Sequence, residues 1–109
     1  MLNIQNIHTL INQKIVLSMV SPGLSRTYFV YNMLRWHENE TGNDRYEIHI
    51  RHVNKLHDDI QLVLNGHKTG KGYLLYNKER PNNSMLLTAE QIQSKFTFLK
   101  AIELVMTMY

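Results

Sequence analysis

The chain has 109 residues, a formal charge of +3, 43% apolar and 19% charged residues, and no cysteine. That length suits one domain, and the apolar share supports a modest core, which excludes a disordered solvating chain. Disulfides, cysteine-ligated zinc and thiol catalysis are excluded, and twelve basic against nine acidic residues exclude a strongly acidic mimic of nucleic acid.

No apolar run approaches the roughly 18 residues of a membrane-crossing helix. No basic residue precedes Lys14, so no signal peptide and a cytoplasmic location are expected. Eleven asparagines and nine isoleucines, both read from AT-rich codons, fit an AT-rich bacterial, phage or mobile-element genome.

Residues 2–12 place Leu2, Ile4, Ile7, Leu10 and Ile11 at helical spacing among asparagines, which predicts an amphipathic N-terminal helix. Ile15-Val16-Leu17 begins a strand or prolongs that helix, and Ser21-Pro22-Gly23 stops either. Residues 27–37 are aromatic and β-branched at their start and predict a strand. After a polar loop, residues 45–53 alternate, with Tyr46, Ile48 and Ile50 toward the core and Glu47, His49 and Arg51 toward water. Residues 60–65 and 72–76 predict a hairpin around Gly66-His67-Lys68-Thr69-Gly70.

Residues 77–84 are polar and contain Pro81-Asn82-Asn83. Thr88 then suits an N-cap, with Gln91 placed to close a capping box, and nothing breaks the helix from Ala89 to Met108. Ile92, Phe96, Leu99 and Ile102 form its stripe, which widens at the end until the last turns are apolar nearly all round. Leu104, Val105, Met108 and Tyr109 are therefore expected either to form a homodimer interface or to lie in a cupped sheet. The predicted architecture is one α+β domain over residues 1–109. It has an antiparallel meander of three to five strands, an N-terminal helix and a long C-terminal helix.

The 66–72 segment is not a phosphate loop. Only three residues separate Gly66 and Gly70, Gly72 stands where a hydroxyl residue is needed, and no helix follows. It reads instead as a basic hairpin tip. Residues 66–80 hold four basic residues and one acid. Arg51, His67, Lys68, Lys71, Tyr73, Lys78 and Arg80 are the candidate contacts to nucleic acid or to an acidic protein surface. His49, His52, His57, Asp58 and Asp59 have metal-ligand chemistry, but His49 and His52 fall on opposite faces of one strand, so no metal or other cofactor is expected. Glu47, His49 and Arg51 share a face and could serve a metal-free ribonuclease, or simply form the wet side of a sheet. Tyr28, Tyr31, Arg35, Trp36, His37, Tyr46, Tyr73 and Tyr76 could supply an aromatic and basic contact surface. About half of these must face the core.

Strands from Tyr46 to Leu87 followed by Thr88-Ala89-Glu90-Gln91 and a long helix resemble the sheet-then-helix order of dimeric single-stranded-DNA-binding coactivators. The small, basic α+β plan is also similar to that of ribosome-dependent mRNA-cleaving toxins. Both resemblances rest on element order and size, with no shared motif. The expected function is that of a small non-enzymatic binding protein, plausible as a phage accessory inhibitor of the anti-CRISPR type. It would dock on a protein or nucleoprotein complex that handles nucleic acid, or on nucleic acid itself. Single-stranded nucleic-acid binding and toxin-type ribonuclease activity are the alternatives.

Overall fold

Alternating apolar and polar side chains between Tyr46 and Arg51 form the strand around which the molecule is organised. The computed structural model describes residues 2, 4–18, 25–37, 44–54, 59–66 and 71–107. Six strands run as an antiparallel meander: β1 (Lys14–Ser18), β2 (Ser25–His37), β3 (Asp44–His52), β4 (Asp59–Gly66), β5 (Tyr73–Asn77) and β6 (Arg80–Leu87). Two helices follow, α1 (Ala89–Gln93) and α2 (Lys95–Thr107). The α+β class and the meander match the expectation, with six strands among the described residues in place of three to five.

One sheet face carries Ile15, Leu17, Tyr28, Val30, Tyr46, Ile48, Ile50, Leu62, Leu64, Leu75 and Leu87, all buried in a single core. Phe98, Ala101, Ile102 and Val105 of α2 complete that core at spacings of three and four. In β2 the register shifts between Val30 and Asn32, so Tyr31 is an extra residue. The core-side set changes there from Tyr28 and Val30 to Met33, which pairs with Ile48.

The predicted N-terminal helix is instead a single 3₁₀ turn, Ile7–Leu10, and the chain leaves it through Asn12 at φ 64°. Asparagine side chains compete for backbone hydrogen bonds and tolerate the left-handed region. Asn12 N–H donates to the Val30 carbonyl at 2.7 Å, and Val30 N–H to Gln13 at 3.0 Å, so the turn is tied to β2 where its register shifts. Leu2, Ile7 and Leu10 still enter the core.

The polar stretch 77–84 contains a two-residue turn, Lys78-Glu79, and the start of β6. Asn77 shapes the turn by accepting the Glu79 N–H at 3.0 Å. Pro81 is tolerated because β6 pairs only with β5 and lies at the sheet edge.

The C-terminal helix is interrupted. Thr88 and Gln91 form the expected capping box, but Ser94 is extended (φ −76°, ψ 101°) and restarts the helix. Its Oγ accepts from Thr97 N–H at 3.3 Å and from Thr97 Oγ1 at 3.0 Å. The restart changes the helix phase. Phe98 is fully buried, while Phe96, expected in the stripe, is 80% exposed.

Candidate functional site

Helix α2 packs over β1, β5 and β6 and covers the core face. The other face follows from the pairing register. Trp36 lies opposite Arg45, Arg45 opposite Asn65, Asn65 opposite Leu74, and Leu74 opposite Leu86. A second row runs Leu34, Glu47, Val63, Tyr76 and Ser84. Beyond it lie Asn32, His49 and Gln61, then Phe29, Arg51 and Asp59. Trp36, Leu34 and Leu86 are 43%, 37% and 52% exposed.

Two arginine–aromatic stacks sit on this face. The Arg45 guanidinium carbon is 5.3 Å from the centre of the Trp36 ring. The Arg51 carbon is 4.5 Å from that of Tyr31, the extra residue of β2. Asp59 fixes Arg51 with two bonds, 2.7 Å from Nε and 3.3 Å from a terminal nitrogen, and also accepts from the Tyr31 hydroxyl at 3.4 Å. Burial, then the Asp59 carboxylate, pushes the Tyr31 phenol above its ordinary pKa.

Between the stacks lies Glu47, expected in water but buried, as is His49. Glu47 accepts from His49 Nε2 and from Arg45, each at 3.1 Å, and Lys78 Nζ is 3.4 Å from both of its oxygens. Burial alone would raise its pKa. The bond from His49, then Lys78 and Arg45, outweighs that and holds the carboxyl below its ordinary value. Three donors are how a buried carboxylate becomes tolerable. They also take up the lone pairs that a general base would offer. No protein-family model, curated protein or solved structure matches the chain.

The site residues expected from sequence separate in space. Arg51 lies on the open face. Lys71 is exposed at the start of the β5 approach, and Tyr73 packs against the core. Lys78 and Arg80 lie beyond the far end of β5 from Lys71, with the length of that strand, about 17 Å at roughly 3.3 Å per residue, between them. Among the described residues, Lys71 is therefore set apart from Lys78 and Arg80. His67 and Lys68 lie outside the described residues, as do Met108 and Tyr109. Leu104 is half-buried, and Val105 is fully buried in the core of its own chain.

The remaining aromatic candidates divide by face. Tyr28 and Tyr46 are buried on the core side, and Tyr76 lies on the open side. Arg35 and His37 share a face, as expected, and both bond Asp44, at 2.9 and 2.7 Å. His37, and behind it Arg35, holds Asp44 below the ordinary carboxylate range. His52 stacks edge-on against Tyr28, away from His49. Among the described residues, no three histidine or carboxylate side chains group as a metal site; His57 and Asp58 lie outside them. The Trp36–Arg45 stack and the Glu47 hub were not expected. The alternation placed Arg45, Glu47 and His49 on one face, but nothing in it shows that Lys78 folds back to cover them.

Proposed function

We propose that the chain is a small non-enzymatic binding protein and that the open sheet face is its docking surface. The target would be a nucleic-acid-handling complex that it inhibits, or nucleic acid itself. The observation that carries this is the pair of rigid stacks, Arg45 with Trp36 and Arg51 with Tyr31, on the face that α2 leaves uncovered. Trp, Tyr and Arg are the residue types that dominate binding hot spots, and pre-stacking lowers the entropy lost on contact.

The Glu47 network supports the non-enzymatic side of the proposal. Glu47, His49 and Arg51 share one face, but Glu47 already accepts from His49, Arg45 and Lys78, and Arg51 is paired with Asp59. The test uses immobilised parent protein and its Trp36→Ala variant as baits for a host nucleic-acid-handling complex. Retention by the parent, lost in Trp36→Ala, is expected. Equal retention, or RNA cleavage abolished by His49→Ala, overturns the proposal.

A further inference from the structure

Resting on the open-face reading, we infer that the face takes single-stranded RNA. The bases would stack on Trp36 and Tyr31, and the phosphates would meet Arg45, Arg51 and Lys78. Trp36 stacks with Arg45, whose guanidinium carbon is 5.3 Å from its ring centre, and is 43% exposed, so the open part of its ring can take a base. Tyr31 is half-buried, with Arg51 4.5 Å from its ring centre and the His49 ring 5.9 Å away, so a base would meet the remaining open part of the ring. The two rings are five residues apart on β2, about 15 Å, a span that suits about two or three splayed bases.

On the same face stand the amides Asn32, next to Tyr31, and Gln61 and Asn65, two strands over on β4, all half-buried. Each offers both a donor and an acceptor to a base edge or a 2′-hydroxyl. Charge agrees with a polyanion. By register and bonding, Lys14, Arg45, Arg51 and Lys78 face Glu47 and Asp59 there, four cations against two carboxylates. The Arg51 and Lys78 side chains keep 36% and 48% of their surface open despite their carboxylate partners. Stacking on Trp36 and Tyr31 needs bases that are splayed out, which a paired RNA duplex does not offer, so the face selects unpaired strands.

The test is fluorescence anisotropy of a labelled ten-nucleotide single-stranded RNA with the full chain at several salt concentrations. DNA of the same sequence and the RNA duplex run in parallel. Expected results are binding that prefers single-stranded RNA and a slope of log affinity on log salt of about −2, from three phosphate contacts. Trp36→Ala and Tyr31→Ala should each weaken binding by about 5- to 150-fold. Phe96→Ala, on α2, should bind as the parent does, and circular dichroism confirms that every variant is folded.

DNA or duplex bound as tightly as single-stranded RNA overturns the inference, as does parent-like binding by both ring variants. Failure to bind RNA, while the Trp36→Ala bait still loses its complex, overturns the RNA assignment alone. Failure of both removes the open-face reading as well.

Discussion

Glu47 shows most clearly how one side chain is shaped by its neighbours. Its side chain is only 5% exposed yet remains ionised, because His49, Arg45 and Lys78 converge on it from β3 and from the β5–β6 turn. Its pKa is lower folded than unfolded. It therefore contributes stability that is fully present above the ordinary carboxylate value of about 4, and that stability is lost as pH falls through the lower folded value. Asp44, held by His37 and Arg35, acts in the same direction. Glu47→Gln should cost about 1–2 kcal/mol at neutral pH. It should also flatten the acid limb of a urea-midpoint profile against pH, and an unchanged limb would show that Glu47 does not set it.

Gly72 carries a different residue-scale constraint. It holds φ at 121°, and a Cβ there would lie 2.5 Å from the Leu87 carbonyl oxygen. Gly72→Ala should destabilise by about 2 kcal/mol, read as a thermal midpoint lowered by roughly 10 °C.

At the scale of elements, the break at Ser94 decides which phenylalanine matters. Phe98→Ala should cost about 3–5 kcal/mol, whereas Phe96→Ala should stay within about 0.5. Denaturant titration of the two variants checks this, and equal costs would mean an unbroken helix. The capping box at Thr88 was legible because its chemistry is local: a hydroxyl, and a glutamine three residues on. The break was not, since serine is an acceptable helix residue and only its bond to Thr97 reveals its use as a cap.

Strand β3 was legible from alternation, as were the faces of Arg35, Trp36 and His37. β6 was not, because Pro81 and two asparagines carry no strand signal and edge pairing is a tertiary fact. The N-terminal stripe read as helical because Leu2, Ile7 and Leu10 bury one face, which a short turn achieves equally well. Val105 adds a practical point. Truncation after Leu104 removes a fully buried side chain, so it should destabilise the fold whatever the oligomeric state. Mass by light scattering, and not stability, is then the measurement that bears on a dimer.

Across the whole molecule, one face of the meander is closed by α2 and the other holds a charged hub between two aromatic stacks. No helix among the described residues is long and apolar enough to cross a membrane. The buried Glu47 network ties the β5–β6 turn to β3, because Lys78 Nζ lies 3.4 Å from both Glu47 oxygens. A face held together in this way would bind the proposed partner with little reorganisation. Salt should therefore weaken an anionic partner's binding without changing the fold.

The sole tryptophan lies on that face and reports on it directly. Acrylamide quenching of Trp36 fluorescence in the free protein is the most direct test of an uncovered docking surface. A red-shifted emission and efficient quenching, both reduced once a partner is bound, are the predicted results. A blue-shifted emission that acrylamide cannot quench in the free protein would contradict an open face.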